Sequence, residues 1–343
     1  MADPIPFSGD PLWRASNERR DPDWVQAQLD SPASRFLPLW KNNALTITKA
    51  GGTPDPTKGT KAGGTPDPTK GRGAIDPIRG GNPPAGEACD LLWLDASVLK
   101  HAAERNRPVL LGLRDGVAHF AIDLSPLEDP LVALGLEGAE FTDTRAAAAR
   151  LAVGEAGTLA HARSLVDWHT RHRYCPACGT PTEPREAGSM RKCDACGAEH
   201  FPRTDPVVIM VAWLGSRCIL GRQRAWAPNF YSALAGFIDQ GETIEEAVRR
   251  EVKEEVGLDV DEVIYRRSQP WPFPSSLMIG CFAHVTGESE TVDPMELDGA
   301  RWFTREEIRR AVLDPNPEKH GYGIPGPIAI AHHIIKDWSE QST

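Results

Sequence analysis

The sequence contains no run of about 18 apolar residues, the length that a membrane-spanning helix requires. Its opening stretch, MADPIPFSGDPLWRASNERRD, lacks the basic start and apolar core of a secretory signal. Basic residues are in deficit, because 38 Lys and Arg face 48 Asp and Glu and leave a formal net charge of −10. General attraction to nucleic acid through a basic surface is therefore not expected. These absences predict a cytoplasmic protein with no membrane partner.

The cysteines are odd in number, seven, and four of them form two C-x-x-C pairs. This pattern favours a reducing compartment and a metal over a disulfide framework. The pairs are separated by 14 residues, the spacing of a zinc ribbon, and each is followed by a glycine where the chain must turn. Four thiolates would close a tetrahedral site, so we predict one structural Zn²⁺ per chain, held by Cys175, Cys178, Cys193 and Cys196. A redox role or two unconnected pairs is the weaker alternative, because the pairs come as a matched set.

A chain of 343 residues can contain two or three domains, and its composition divides it into four segments. Short apolar runs separated by turn formers predict a mostly β domain over 1–143, interrupted by a tandem duplication at 49–72 that we expect to be disordered. The alanine-rich sequence of residues 144–173 predicts a connecting helix. The zinc ribbon follows at 174–201, and 202–343 forms the last domain, where two strand-like runs flank a turn at Gly215-Ser216.

Between Gly236 and Leu258 lies a short segment rich in carboxylates, GFIDQGETIEEAVRREVKEEVGL. Thr243 followed by Glu246 forms a capping box, an apolar stripe follows, and Gly257 suits a left-handed helix end, so a helix is predicted over 243–256. Glu251, Glu254 and Glu255 then share one face. Their mutual repulsion suggests hard oxygen ligands for Mg²⁺ or Mn²⁺. The alternative is a solvated acidic face that is offset by Arg249, Arg250 and Lys253.

The segment matches, at every defined position, the box G-x5-E-x7-R-E-U-x-E-E-x-G-U of the Nudix hydrolases, where U is aliphatic. This resemblance implies an α/β/α sandwich with a mixed sheet, within an α+β chain, and hydrolysis of a nucleoside diphosphate linked to another group. It implies catalytic and metal-binding roles for Glu251, Glu254 and Glu255, with the carbonyl of Ala235 as a further ligand. Glu242 and Arg250 would form an orienting pair. Two or more Mg²⁺ or Mn²⁺ ions are expected, and Glu255 is our first candidate for the general base.

Beyond the box, the stretch SQPWPFPSSLM alternates prolines with aromatic residues and predicts a stiff, extended segment. From its composition alone, the segment suits a rigid loop packed into the core as well as a wall for a flat ring. The same array resembles the SQPWPFPxS motif of the NADH pyrophosphatase branch of the Nudix family, which also has a zinc ribbon before the catalytic domain. The resemblance covers residues 165–340 closely and 1–165 only loosely. It implies substrate contacts by Ser268, Gln269, Pro270, Trp271, Pro272, Phe273, Pro274 and Ser275.

The same branch implies four further residues and a dimer. Phe237 would stack on a base or nicotinamide, although a core position is an equal alternative. Phe201 would reach the partner subunit's site in a homodimer, Ala331 would contact substrate, and Glu296 would be a further metal ligand. The implied reaction is hydrolysis of NAD(H) to nicotinamide mononucleotide and AMP.

Alternative functions are removal of NAD caps from RNA, another nucleoside-diphosphate substrate, and a non-enzymatic scaffold with a vestigial site. A basic groove near Arg222, Arg224, Arg266 and Arg267 would help RNA to bind. The intact acidic positions argue against the vestigial alternative.

Overall fold

The computed structural model describes residues 5–49, 87–101 and 107–341. Apart from Lys49, the duplication predicted to be disordered at 49–72 lies outside these ranges. Within them, none of the helices has the length and apolar character needed to cross a bilayer.

The strands of the described ranges fall in three sheets. They are β1 (Arg35–Trp40), β2 (Asn43–Thr48), β3 (Cys89–Leu91), β4 (Val109–Arg114), β5 (Val117–Asp123), β6 (Ala139–Thr142), β7 (Glu183–Arg185), β8 (Met190–Lys192), β9 (Glu199–His200), β10 (Asp205–Leu214), β11 (Arg217–Arg222), β12 (Leu234–Phe237), β13 (Val260–Trp271), β14 (Ser276–Val285) and β15 (Gly299–Thr304).

The α-helices of the same ranges are mostly short. They are α1 (Pro22–Asp30), α2 (Pro130–Leu134), α3 (Thr144–Ala148), α4 (Val153–Arg171), α5 (Ile244–Val256), α6 (Arg305–Leu313), α7 (Pro317–His320) and α8 (Ile330–Glu340). Short 3-10 helices occur at Glu18–Arg20, Ala96–His101 and Glu186–Gly188.

The N-terminal sheet confirms the mostly β prediction and has the strand order β3-β2-β1-β5-β4, with β6 paired to β2. Two antiparallel hairpins, β1–β2 and β4–β5, join side by side through the parallel pair β1–β5. Helix α4 packs on this sheet, and its buried Leu159 and Leu165 lie in the same core as Leu37 and Leu39.

The C-terminal sheet repeats this arrangement, with the order β13-β14-β10-β11-β15 and β12 paired to β10. Hairpins β10–β11 and β13–β14 again join through a parallel pair, β10–β14. Helix α5 packs against one face, over buried Val208 and Met210, while α6 and α8 pack against the other, over Val207 and Ile209. The predicted α/β/α sandwich with a mixed sheet is therefore confirmed.

The segment 144–173 forms two helices, α3 and α4, where the alanine-rich sequence predicts a single one. The break lies at residues 149–152, where the carbonyl of Arg150 accepts a hydrogen bond from Cys89 N–H beside β3. The Arg150 side chain also donates to the Glu87 carbonyl at 2.7 Å. These contacts with the edge of the sheet hold the chain out of helical geometry.

Helix α4 contains a glycine that permits close approach of the N-terminal segment. A Cβ at Gly157 would lie 2.6 Å from the Ser8 carbonyl oxygen, closer than carbon and oxygen can pack. Residues 8–11 therefore pass directly over α4, between Pro6 at the C-terminal domain and Trp13 at the N-terminal sheet.

Gln269 ties these parts together. Its side chain is fully buried and donates to the carbonyls of Pro6 at 2.8 Å and Ile328 at 2.9 Å, while its oxygen accepts from Ile330 N–H at 2.7 Å. One amide therefore fixes the N-terminal segment, β13 and the start of α8.

We predict that Gln269→Leu lowers the free energy of unfolding by about 2–5 kcal/mol, because two partly buried carbonyls and one buried N–H lose their partner. Urea unfolding followed by tryptophan fluorescence measures this loss. The matched control is Ser268→Ala at the exposed neighbouring position, expected to change stability by less than about 0.5 kcal/mol. Equal effects of the two substitutions would contradict the structural role of Gln269.

Candidate active site

Helix α5 begins and ends as its sequence predicts. Thr243 and Glu246 exchange the reciprocal hydrogen bonds of a capping box, and Gly257 ends the helix at φ 73°. The apolar stripe, including Val248 and Val252, is buried against the sheet. Packing this stripe fixes the rotation of the helix, and this rotation brings Glu255 to the sheet.

Glu255 is the most buried carboxylate of the helix, with 5% of its surface exposed. Its Oε2 atom is buried and has no hydrogen-bond partner among the described residues. Burial raises the pKa of Glu255 well above its usual value, and the charges of Glu251, Glu296 and Glu254 add to this effect. A hydrogen bond from the Ala235 backbone opposes it. An ionised Glu255 therefore needs a positive charge that the protein does not supply at Oε2.

Arg250 neutralises the other carboxylates. Its guanidinium donates to both oxygens of Glu242, at 2.6 and 2.9 Å, to Glu251 at 2.7 Å and to Glu254 at 2.9 Å. A further bond, at 2.8 Å, reaches the carbonyl of Phe237. These bonds raise the pKa of Arg250, and its side chain lowers the pKa of Glu242 to about 2. The predicted partners Glu242 and Arg250 are thus in direct contact.

The alternative interpretation was a solvated acidic face whose charge is balanced by basic residues of the same helix. The other two of these residues, Arg249 and Lys253, give it little support. Arg249 donates to the carbonyls of Val260 and Asp261, and Lys253 pairs with Asp259 at 2.8 Å. Both point away from the Glu251–Glu255 face.

Gly236 lies directly beneath the carboxylate of Glu251. A Cβ built at this glycine would overlap the carboxylate carbon and both its oxygens. From the sequence, a glycine here is expected to let the backbone approach a metal or phosphate. In the structure, the missing side chain leaves the space that the Glu251 carboxylate occupies. Burial raises the pKa of Glu251, while Arg250 opposes the shift.

Glu296 reaches the cluster from a separate loop. Its negative charge raises the pKa of both Glu251 and Glu255, which places it on their side of the helix. The loop is fastened to the end of α5 by hydrogen bonds from Thr291 N–H to the Val256 carbonyl and from Asp293 N–H to the Glu255 carbonyl. An exposed loop carboxylate thereby gains a defined position.

The donor set fits a hard divalent cation. Glu242, Glu251 and Glu254 gather around Arg250, and Glu255 is buried with an unpartnered oxygen, although among the described residues no group of carboxylates is as close-set as the four cysteines. Oxygen-rich sites of this kind bind Mg²⁺ or Mn²⁺. Ala235, the predicted backbone ligand, lies on β12 opposite Ile209 and beside Glu255.

The SQPWPFPS segment divides between strand and turn. Residues 268–271 end β13, and 272–275 form the connection to β14, with a cis bond between Phe273 and Pro274. Gln269, Trp271 and Pro272 are buried, Phe273 and Ser275 are half-buried, and Ser268, Pro270 and Pro274 are exposed. The buried residues of the segment pack in the core, in agreement with the alternative of a rigid, core-packed loop. Only the exposed and half-buried residues have surface that a substrate could contact.

Sequence reasoning missed the residues that hold this turn. The Phe7 ring packs edge-on against Trp271 and Phe273, at 5.7 and 5.9 Å between centroids. The guanidinium carbons of Arg145 and Arg163 lie 4.0 and 4.6 Å from the centre of the Phe273 ring. More than 100 residues separate these partners from the motif, and no local pattern in the sequence signals such contacts.

Sheet register relates the motif to the acidic box. Gln269 pairs with Met278, Met278 with Val207, and Val207 with Phe237, so one row crosses four strands. Three strand spacings of about 4.8 Å separate the ends of this row. The motif and the start of the box therefore lie at the same end of the sheet, about 14 Å apart.

The remaining predicted contact residues differ in exposure. Phe237 is 47% exposed and Phe201 is 62% exposed, so both rings are accessible. Ala331 is buried near the start of α8, in the core beneath the sheet.

The predicted basic groove is wrong. Arg222 and Arg224 pair with Asp298, and Arg267 pairs with Asp337 at 2.6 Å. Moreover, β11 and β13 are separated by β14 and β10, so their arginines do not share a groove.

The four predicted zinc ligands come together. Their sulfur atoms all lie within 4.8 Å of one another, with Sγ–Sγ distances of 3.7 Å for Cys175–Cys196 and 3.5 Å for Cys178–Cys193. A tetrahedral zinc with Zn–S bonds of about 2.3 Å requires about 3.8 Å. Each knuckle closes by the same bond, from Gly179 to Cys175 and from Gly197 to Cys193, both at 2.8 Å. Hydrogen bonds from Thr180 lower the pKa of Cys178.

Comparison with protein families agrees with these structural units. Residues 203–324 match the NUDIX domain, and 170–201 match the NADH pyrophosphatase zinc ribbon domain. Residues 33–168 match an NADH pyrophosphatase-like rudimentary NUDIX domain, where the sequence suggested only a loose resemblance. The repeated pairing of two hairpins in both sheets gives this match a structural basis.

Curated relatives extend over most of the chain. The NAD-capped RNA hydrolase NUDT12 of Homo sapiens is 35% identical over 97% of this chain and 72% of its own length. The mitochondrial NAD(P)H pyrophosphatase NUDT13 of Homo sapiens is 40% identical over 66% of this chain and 69% of its own. The NAD-capped RNA hydrolase NudC of Mycobacterium bovis is 38% identical over 67% of this chain and 75% of its own. With these relatives and three matching domains, the chain belongs to the Nudix hydrolase family, in its NADH pyrophosphatase branch.

Proposed function

We propose that the protein is an NAD(H) diphosphatase that hydrolyses the pyrophosphate bond of NAD(H) to nicotinamide mononucleotide and AMP, with Mg²⁺ or Mn²⁺. The observation that carries the proposal is the buried, unpartnered Oε2 of Glu255 within a carboxylate cluster. The relatives named for NAD(P)H and NAD-capped RNA support the substrate class.

In this proposal the residues have distinct roles in metal binding, proton transfer and orientation. Glu251, Glu254, Glu255, Glu296 and the Ala235 carbonyl hold two or more divalent cations, which when bound neutralise the diphosphate and activate water. Glu255 accepts a proton from the attacking water, whose oxygen bonds to one phosphorus while the bridging P–O bond breaks. Glu242 holds Arg250, and Arg250 orients Glu251 and Glu254.

The dinucleotide lies along the end of the sheet that joins the box to the SQPWPFPS turn. Phe237 offers an exposed ring for a base or nicotinamide at one end of the row. Ser268, Pro270, Phe273, Pro274 and Ser275 provide the accessible surface at the other, while Gln269, Trp271, Pro272 and Ala331 support it from the core.

NAD-capped RNA is the second candidate substrate, favoured by the names of two relatives. Because the basic groove is absent among the described residues, an RNA body would gain little charge attraction. Comparing kcat/KM for NADH and for an NAD-capped oligonucleotide decides between the two, and equal or better turnover of the RNA favours decapping.

We also propose a cytoplasmic homodimer. None of the seven cysteines, all within the described ranges, is in a disulfide, which suits a reducing compartment, and the exposed Phe201 and Tyr174 rings of the zinc ribbon suit a subunit contact. Sedimentation equilibrium of the protein and of Phe201→Ser tests the dimer.

Glu255→Gln is expected to lower kcat for NADH about 10²- to 10⁴-fold, because the cation ligand and the proton acceptor are lost together. Chromatography of the two mononucleotide products measures the rate. Glu245→Gln, the same change at an exposed position of α5, should retain wild-type turnover. Full activity of Glu255→Gln would refute the proposed mechanism.

Gly236→Ala should displace the Glu251 carboxylate, since the new Cβ occupies its place. A flexible side chain can move at small cost, so the melting temperature should fall by only a few degrees. The Mn²⁺ concentration for half-maximal activity should rise at least tenfold. Gly287→Ala, where a Cβ meets nothing within 4 Å, serves as the control, and equal metal dependence in the two variants would contradict this assignment.

Elemental analysis should find one zinc per chain in the purified protein. Cys193→Ala should abolish it and lower the melting temperature, because the ribbon loses the ion that closes its fold. Cys281→Ala, at a buried cysteine outside the cluster, should retain the zinc. Zinc retained by Cys193→Ala would show that the four-thiolate site is misassigned.

A further inference from the structure

A small cavity of about 10 Å³ lies beside Glu255. A volume of roughly 10–15 Å³ accommodates one water molecule. Its walls come from β11, the loop after it, β12, the end of α5 and the Glu296 loop, and they include Trp226, Ala235 and Glu255. The cavity therefore adjoins two of the predicted cation ligands, Ala235 and Glu255.

Two buried polar side-chain atoms, each on a residue that lines the cavity, have no partner within the described part of the chain. They are Oε2 of Glu255 and Nε1 of Trp226, on residues that are 5% and 7% exposed. An unsatisfied buried polar group costs about 1–3 kcal/mol. Because both residues line the same small cavity, one occupant can satisfy both atoms.

The chemistry of the two atoms selects the occupant. Indole N–H is only a donor, and an ionised carboxylate is only an acceptor. A cation in this cavity would meet the positive end of the N–H bond, and an anion would meet the carboxylate. Water accepts from the indole and donates to the carboxylate.

The indole is held in place before any substrate binds. The Trp226 ring packs edge-to-face on Phe230, at 5.6 Å between centroids and an interplanar angle of 90°. The backbone N–H of Trp226 donates to the Gln223 carbonyl at 3.1 Å, and the backbone N–H of Phe230 donates to the Ala227 carbonyl at 3.2 Å. The donor is thereby fixed at the wall of the cavity by its own loop.

We infer that Trp226 is a positioning residue of the reaction, whose indole N–H holds a water against Glu255 Oε2 and so fixes the carboxylate beside the cations. This inference rests on the proposed function. The carboxylate has lone pairs enough to bind a cation and to accept a hydrogen bond from this water. Without the water, Glu255 is free to turn between orientations, of which only one suits the reaction.

The test is Trp226→Phe, which keeps an aromatic ring and removes the donor. We expect kcat for NADH to fall about tenfold, KM for NADH to stay within about twofold, and the dissociation constant for Mn²⁺ to rise severalfold. The control is Trp302→Phe, which removes an indole donor that bonds Glu290 at 2.9 Å, and it should leave all three values unchanged. A merely structural role for Trp226 would lower stability without changing kcat or Mn²⁺ binding.

A second variant, Phe230→Leu, keeps the N–H and loosens the ring, and should give a smaller loss of kcat in the same direction. Calorimetric Mn²⁺ binding is measured without NADH, so it tests Trp226 even if the wild-type protein does not hydrolyse NADH. Unchanged kcat and Mn²⁺ affinity in folded Trp226→Phe would overturn the inference, as would equal losses in Trp302→Phe. Failure of the wild type to cleave NADH would refute the proposed function alone.

Discussion

The burial of one carboxylate constrains the whole site. Glu255 lies on the apolar side of α5, where the packing of Val248, Val252 and Val256 against the sheet leaves it almost no contact with solvent. A carboxylate in such a position is unfavourable when charged, and its acidic neighbours make it more so. The arrangement is stable with a counter-charge, and a divalent cation supplies it without an additional side chain.

The surrounding features follow from this constraint. Arg250 is fully engaged with Glu242, Glu251 and Glu254, so it orders the outer carboxylates and leaves the inner one for a cation. Gly236 clears space for Glu251, and the loop carrying Glu296 is tied to the last turn of the helix. The site thus draws on a strand, a helix and a loop: apolar packing sets the helix on the sheet, and backbone hydrogen bonds fasten the loop to the helix.

Much of this architecture could be predicted from local patterns. The capping box, the left-handed Gly257 and the zinc knuckles involve residues within a few positions of one another, and the structure confirms each. The hairpin after β10 follows from its turn residues in the same way.

The break between α3 and α4 could not be predicted, because it depends on a contact with Cys89 about 60 residues earlier. The enclosure of Phe273 by Phe7, Arg145 and Arg163 was likewise hidden, since its partners belong to distant segments. The supposed basic groove failed because sequence shows charges without showing their partners.

The amide of Gln269 has a consequence for the order in which the protein assembles. It bonds Pro6, which lies 263 positions earlier, and Ile330, which lies 61 positions later. During translation the residues near Pro6 emerge long before Gln269 is made, and the bonds of this amide are complete only after Ile330 has been added. Joining of the two halves through this amide therefore comes late in synthesis, and until Trp271 has been made the Phe7 ring lacks its cover.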